Sequence, residues 1–243
     1  MSALRWDALR VRYGARTALD AGPVRLEPGQ LVALLGPNGS GKSSLLKALI
    51  GAVPCEADGL ELDGAAWSAL PPAMRARKLA YLSQTRTGAP LATVADTLAL
   101  GRFPFGGRDA DGRVANVTRR LDLDALAQRR FGTLSGGEQA RVLLGRALCV
   151  GAPVLLADEP TAALDPHYAL TLLGALKAEA RTGALVVASL HDLDLARRFA
   201  DRALVLDAGR IVADGPPAEA LGEAVLRDTF RVAQTADGLV PQP

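Results

Sequence analysis

Eight consecutive residues constrain this chain more than any other stretch: Gly36-Pro37-Asn38-Gly39-Ser40-Gly41-Lys42-Ser43. They follow a short apolar run, residues 31–35, and precede a helical pattern over residues 42–50. Strand, glycine loop and helix together form the setting in which Gly-x-x-x-x-Gly-Lys-Ser cradles phosphates. The glycines let the backbone curl so that successive N–H groups converge on phosphate oxygens, and the helix adds the positive end of its dipole. Lys42 is placed to reach the β- and γ-phosphates as a point charge, and the Ser43 hydroxyl to ligate Mg2+. Only four of the 28 basic residues are lysines, so composition alone does not supply one here. The plainer alternative is a glycine-rich turn before a helix. The complete motif in its full context favours nucleotide binding.

The rest of the chain reads as an α/β fold with a parallel sheet. Leu4, Trp6, Leu9, Val11 and Tyr13 nearly alternate with charges and predict an early strand or hairpin. A short strand and turn are expected at residues 60–64, and another strand over 79–83 that ends at Gln84. From about 85 to 150 the pattern turns helical, clearest over 93–100, 114–121 and 135–150, with glycines and prolines between. This region is expected to be a helical subdomain inserted into one P-loop domain spanning residues 1–243. Residues 154–157 and 185–188 are uninterrupted apolar runs of the kind seen in parallel strands buried on both faces, joined by a helix over 167–180. A hairpin is expected over 203–213, and the tail from Thr235 is read as polar and loose.

Two further stretches carry candidate chemistry. Val154 to Ala157 runs directly into Asp158 and Glu159, at the carboxyl end of a predicted parallel strand, where ligands bind. Asp158 is a candidate Mg2+ ligand and Glu159 a candidate base for a water facing the γ-phosphate. Solvated loop charges before Pro160 are the bland alternative, which the P-loop makes the weaker one. Leu134-Ser135-Gly136-Gly137-Glu138-Gln139 opens the longest helix, and Ser135 with Glu138 has capping-box spacing. A capping box does not need two glycines, which cost helix stability in the first turn. They are read as freeing backbone N–H groups for a second anion-binding helix start.

Taken in order, the P-loop, residues 134–139, Asp158-Glu159-Pro160-Thr161 and Ser189-Leu190-His191-Asp192 resemble the ATP-binding cassette, the nucleotide-binding domain of ABC transporters. That resemblance implies a P-loop NTPase fold with a parallel-sheet core, an N-terminal antiparallel β part and a helical insertion. It implies an ATPase that uses ATP and Mg2+. Two copies would enclose two ATP molecules head to tail. Gly36, Pro37, Asn38, Gly39, Ser40, Gly41, Lys42, Ser43 and Ser44 of one copy would then face Leu134, Ser135, Gly136, Gly137 and Glu138 of the other. By the same resemblance Tyr13 stacks on adenine, Gln84 lies near Mg2+, Glu159 is the catalytic base and His191 contacts the γ-phosphate. Ser43, Gln84 and Asp158 would hold the metal, and Asp165 would reach across the dimer. Two residues depart from the common pattern: Glu138 stands where Gln is usual, and Ala162 where Ser is frequent.

The stretch from Thr93-Val94 to Gly101-Arg102-Phe103-Pro104, with the C-terminal Gly215-Pro216 and Phe230-Arg231-Val232, is similar to cassettes serving iron-siderophore, haem and cobalamin uptake. The bland reading is that Gly101 and Pro104 merely end a helix. The resemblance implies permease subunits as direct partners, contacted around Gln84 and surface positions such as Arg86, and a periplasmic binding protein as an indirect one. The chain would then sit on the cytoplasmic face of the inner membrane as a peripheral subunit. No apolar stretch approaches the ~18 residues a span needs, and Asp7 with two arginines occupies the place of a signal peptide's apolar region. With 28 basic against 26 acidic residues and 4% aromatics, a nucleic-acid partner is not expected. An Asn-Lys-x-Asp guanine-reading sequence is absent, which argues against a GTPase. An exporter cassette and a soluble ABC ATPase acting on DNA or ribosomes stay open as alternatives.

Overall fold

The computed structural model describes residues 3–85, 88–235 and 238–242. Antiparallel strands come first: β1 (Leu4–Trp6), β2 (Ala8–Tyr13), β3 (Arg16–Ala21) and β4 (Val24–Leu26). Then follow β5 (Leu31–Leu35), α1 (Lys42–Leu49), the short β6 (Glu56–Asp58), β7 (Glu61–Leu62) and β8 (Ala65–Ala66), and α2 (Pro72–Lys78) leading into β9 (Leu79–Leu82). The helical stretch holds α3 (Val94–Ala99), a 3-10 turn Leu100–Phe105, α4 (Arg113–Arg120) and α5 (Gly136–Val150). Strand and helix alternate through β10 (Val154–Ala157), α6 (Pro166–Arg181), β11 (Leu185–Ser189), α7 (Leu193–Phe199) and β12 (Arg202–Asp207), which pairs back with β13 (Arg210–Gly215). The chain continues through α8 (Pro217–Ala220), α9 (Glu223–Val225), β14 (Val232–Thr235) and β15 (Gly238–Pro241).

The central sheet has six strands in the order β13-β12-β5-β11-β10-β9. All neighbours are parallel except the β12–β13 hairpin. Every residue of β5, β10 and β11 is buried, as the uninterrupted apolar runs require. Their side chains still alternate, but between two cores. Leu31, Ala33, Leu35, Leu155, Ala157, Val186 and Ala188 face the cluster shared with α3, α4, α5 and α6. Val32, Leu34, Val154, Leu156, Leu185 and Val187 face the cluster formed with α1 and the N-terminal strands. The sheet is therefore a wall between two cores, and its upper edge carries the functional loops.

Several expectations change in detail. The first strand is interrupted at Asp7, and its halves join different sheets: β1 pairs with β4 and β7, β2 with β3 and β6. Strands β4 and β6 are three residues long, β3 begins with two exposed residues and carries charges, and α2 buries none of its residues, so none of them left a clean period in the sequence. The tail expected to be loose instead contains β15, paired antiparallel with β14. Its polar appearance hides Leu239, which packs against the larger core together with Val232 and Phe230.

The Gly101-Arg102-Phe103-Pro104 stretch does more than stop a helix. A Cβ on Gly101 would lie 2.3 Å from the Arg146 carbonyl oxygen and 2.7 Å from Cys149 Cβ, so the 3-10 turn can press against α5 only through glycine. That approach buries Arg102, which donates to the carbonyls of Cys149 (2.8 Å) and Val150 (3.3 Å) while its guanidinium lies 4.3 Å from the Phe105 ring centroid. Arg113 Nε adds a bond to the Leu148 carbonyl at 2.7 Å. Cations thus meet the negative end of α5 and satisfy carbonyls that a helix leaves orphaned. Burial of Cys149 beside this cluster pushes its thiol up to about 12, so it behaves as a small apolar residue.

Gly101→Ala is expected to lower stability by about 1–3 kcal/mol through overpacking. Urea unfolding should show a lower midpoint with an unchanged slope. An unaltered midpoint would mean that this close approach is not a constraint on the fold.

Candidate functional site

The P-loop bridges the end of β5 and the start of α1, and two of its glycines are fixed by geometry. Gly36 has φ 143°, and a Cβ there would lie 2.1 Å from the Leu206 carbonyl oxygen. Gly41 has φ 107° and caps α1 with no side-chain hydrogen bond, and no acidic residue sits in the first turn. In α3 and α5 a capping box engages two of the N-terminal N–H groups, whereas α1 has no side-chain cap and no acidic residue in its first turn, so its N–H groups and dipole are uncompensated. Lys42 folds back over the loop, donating to the carbonyls of Gly36 (2.7 Å) and Pro37 (3.1 Å). Burial holds the Lys42 amine below its ordinary value, against the opposing pull of Glu159 and Asp158. The Ser40 hydroxyl is buried with no hydrogen-bond partner. A buried orphan hydroxyl beside uncapped helix N–H groups fits an anionic ligand.

Asn38, Gly39, Ser40, Gly41, Lys42, Ser43 and Ser44 line a cleft of about 210 Å³, with Tyr13 and Arg16 at one side and Glu159 at the other. Tyr13 is half exposed, so its ring is offered to the cleft rather than used in the core. Arg16, its cross-strand neighbour at the β2–β3 turn, was not singled out in the sequence, where nothing distinguishes it from the other arginines. Two cations, Arg16 and Lys42, therefore line the same cleft.

Below the cleft lies a hub of carboxylates. In the parallel register Ala157 pairs with Ala188, so Asp158 and Ser189 leave adjacent strands side by side. Asp158 is buried, and its Oδ1 accepts from the hydroxyls of Ser43 (3.1 Å) and Ser189 (2.9 Å) while Oδ2 accepts from Tyr81 (3.3 Å). Burial, and then the Asp158 charge, raise the Tyr81 phenol well above its usual value, so it stays a donor. Glu159 follows at φ 47°, a left-handed conformation that costs energy for a residue with a Cβ and turns its side chain out of the strand line. Three groups hold it there. Its N–H donates to Ser189 Oγ at 2.7 Å, Gln84 Nε2 donates to Oε2 at 2.7 Å, and His191 Nε2 stands 2.7 Å from Oε1. The structure thus brings Gln84, Glu159 and His191 into direct contact. Ser189 and Tyr81 are the functional neighbours that sequence reasoning missed; the strand register above could have indicated Ser189.

The hard oxygens of Ser43 and Asp158, beside a phosphate-binding loop, suit Mg2+, which retains several waters and needs few protein ligands. With Nε2 given to Glu159, Gln84 could offer such a cation only its carbonyl oxygen. No cluster of three or more His, Cys, Asp or Glu able to hold a metal occurs among the described residues, so nothing resembles a dedicated protein cage.

Residues 134–138 and Asp165 do not line this cleft. The capping box at the start of α5 is present: Glu138 N–H donates to Ser135 Oγ (3.3 Å) and Ser135 N–H to Glu138 Oε2 (2.7 Å). The Ser135 N–H bond holds the Glu138 carboxyl below the usual carboxylate range despite some burial. Gly136 meets nothing within 4 Å of a built Cβ, whereas one on Gly137 would strike the Tyr168 ring, so the two glycines serve different needs. Asp165 caps α6 by accepting from the Tyr168 N–H at 3.0 Å. Arg86 lies outside the described residues.

Comparison with known proteins agrees with this geometry. A family model described as ABC transporter matches residues 20–162. The chain is 44% identical over 222 residues to the hemin import ATP-binding protein HmuV of Nocardia farcinica, covering 89% of this chain and 77% of that protein. It is 40% identical over 229 residues to HmuV of Streptomyces coelicolor, covering 91% and 81%. A solved ATP-binding subunit of an ABC transporter superposes with a TM-score of 0.79 at 27% identity, covering 93% of this chain and 92% of that one. An inward-facing putative metal-chelate type ABC transporter gives a TM-score of 0.82 at 25% identity, covering 100% and 98%.

Ser189→Ala should leave the Glu159 N–H unpaired and remove a donor from Asp158. A stability loss of about 1–3 kcal/mol is expected, read by urea titration. A variant as stable as the wild type would show that the hub does not depend on this hydroxyl.

Proposed function

The chain belongs to the ABC transporter family as an ATP-hydrolysing subunit, and from that premise we propose that it powers hemin import through a separate permease. The observation that carries the substrate is the 44% identity to a hemin import ATP-binding protein across 89% of the chain. No helix among the described residues is long and apolar enough to cross a membrane, which suits a peripheral subunit at the cytoplasmic face. We read residues 1–243 as one cassette with residues 85–150 as its helical subdomain. In support, Val94, Leu98, Val117 and Leu121 pack in the same core as the sheet residues Leu31 and Leu155.

In this reading ATP lies along the cleft with its adenine against Tyr13 and its phosphates on the loop from Gly36 to Ser44. Lys42 leaves the Gly36 and Pro37 carbonyls for the phosphate oxygens. Ser43, Asp158 and Gln84 would hold Mg2+, which supplies charge neutralisation at the β- and γ-phosphates. Glu159 orients a water for in-line attack and takes its proton. Gln84 and His191, both in contact with that carboxylate, fix its direction. A second copy completes the site. That residues 134–138 and Asp165 do not line their own cleft supports a head-to-tail dimer in which Ser135, Gly136 and Gly137 serve the other copy's phosphate. Leu91, Leu100 and Phe103, exposed on the helical stretch, offer the apolar contacts a permease would cover. The periplasmic binding protein would be met only through the permease. ATP can drive transport only as far as the closed dimer grips the permease differently from the open one.

Glu159→Gln keeps shape and hydrogen bonding but removes the proton acceptor, so ATP should still bind while turnover falls by ~100-fold or more. The variant should run as an ATP-bound dimer on size exclusion, and near wild-type turnover would refute Glu159 as the base. The substrate is tested by uptake in vesicles holding the reconstituted complex. ATP-dependent import of labelled hemin is expected; export, or transport of another solute class without hemin, would overturn the importer reading while leaving the ATPase in place.

A further inference from the structure

Tyr168 has no part in the chemistry above, yet it touches two of the elements that would complete the partner's site. It lies in the first turn of α6, and its N–H is the donor that Asp165 caps. Its ring rests on Gly137: a Cβ built there would lie 2.4 Å from Cδ2, 2.5 Å from Cγ and 2.6 Å from Cε2. These are atoms at the root and edge of a ring held at its backbone, so the clash cannot be relieved by swinging a flexible end. One helical turn beyond Gly137, the Arg141 guanidinium lies 5.8 Å from the same ring centroid. Arg141 Nη1 also donates to the carbonyls of Leu121 (3.1 Å) and Asp122 (3.3 Å) at the end of α4. The turn that ends at Asp165 begins at Glu159, and it contains a second residue in the left-handed region, Ala163 at φ 53°. A contiguous path therefore runs from the Glu159 turn through Asp165 and the Tyr168 ring to the start of α5.

We propose that Tyr168 is a positioning residue whose ring wedges against Gly137 and Arg141, setting the Ser135-Gly136 start of α5 at a fixed place relative to the Asp165 turn. Both elements then meet the partner copy's nucleotide together. The second need for glycine at 137 follows: the residue is small because the ring requires the space, whereas Gly136 is small beside open space. The contact is made by the ring face and edge, so the hydroxyl is not what matters. The proposal rests on the reading that the start of α5 acts on the other copy's phosphate.

The test uses the full chain. Tyr168→Ala should bind ATP as the wild type does, because its own P-loop is intact, but turn over ~10-fold or more slowly, since small misplacements of a site element are costly in rate. Tyr168→Phe, which keeps the ring, should restore turnover. Should Tyr168→Ala fail to fold, Tyr168→Leu takes its place. Mixing Tyr168→Ala with Lys42→Ala should recover activity, because the first supplies a sound P-loop and the second a sound α5 start. A purely structural defect gives no such recovery. Ser135→Arg mixed with Lys42→Ala is the control for the composite site. Recovery in the control but not with Tyr168→Ala, or a Tyr168→Phe variant as slow as Tyr168→Ala, overturns the proposal alone. No recovery in the control overturns the composite-site reading and the proposal with it.

Discussion

The in-register parallel pairing of β10 with β11 is the constraint on which the site depends. It brings Asp158 and Ser189 out of the sheet side by side, and one buried hydroxyl then serves two neighbours, donating to Asp158 and accepting from the Glu159 N–H. From there the remaining contacts follow. Ser43 reaches Asp158 from the P-loop helix, Tyr81 reaches it from β9, and Gln84 and His191 converge on Glu159. A slip of one residue in this register would send every side chain to the opposite core and dismantle the hub.

The energetic logic of the sheet supports the same arrangement. Strands buried on both faces divide their side chains between two cores, so the sheet cannot shift without disturbing both. Around the carboxyl ends of β5, β10 and β11 the buried side chains of Lys42, Asp158 and Ser189 have hydrogen-bond partners, and the buried Ser40 hydroxyl has none. Buried polar atoms at the P-loop are rigid where satisfied and available where not, which suits a site that must receive a charged ligand. Helix α5 is held by Arg102 and Arg113 at its carboxyl end, and at its amino end the Ser135–Glu138 capping box engages the Ser135 and Glu138 N–H groups.

Much of this was legible in the sequence because the physics is local. Residues 31–35, 154–157 and 185–188 announce buried strands by unbroken apolar character, and the P-loop announces itself by a glycine pattern that few backbones need. The start of α5 was visible through Ser135 and Glu138, whose capping depends on neighbours three residues apart. What was hidden depends on distant partners. Strands β3, β4 and β6 exist because other strands cover them, and β15 because β14 and the core take Leu239. The link between Gln84 and Glu159 crosses 75 positions, and the fit of Tyr168 on Gly137 crosses a helix, so neither leaves a local trace. The Gly101-Arg102 stretch was seen as a family resemblance, and only the fold explains it, as a glycine that admits an arginine to the end of α5.

The central claim is that His191 acts on hydrolysis by holding the Glu159 carboxylate, not independently of it. A double-mutant cycle in single-turnover hydrolysis tests this most directly, with Glu159→Gln, His191→Ala and the double variant compared at saturating ATP and Mg2+. The account predicts strong non-additivity: once Glu159 is replaced, removing His191 should slow the reaction by no more than ~3-fold further, far less than it does alone. Losses that multiply across the two positions would contradict it, and would make His191 a separate contributor to the transition state.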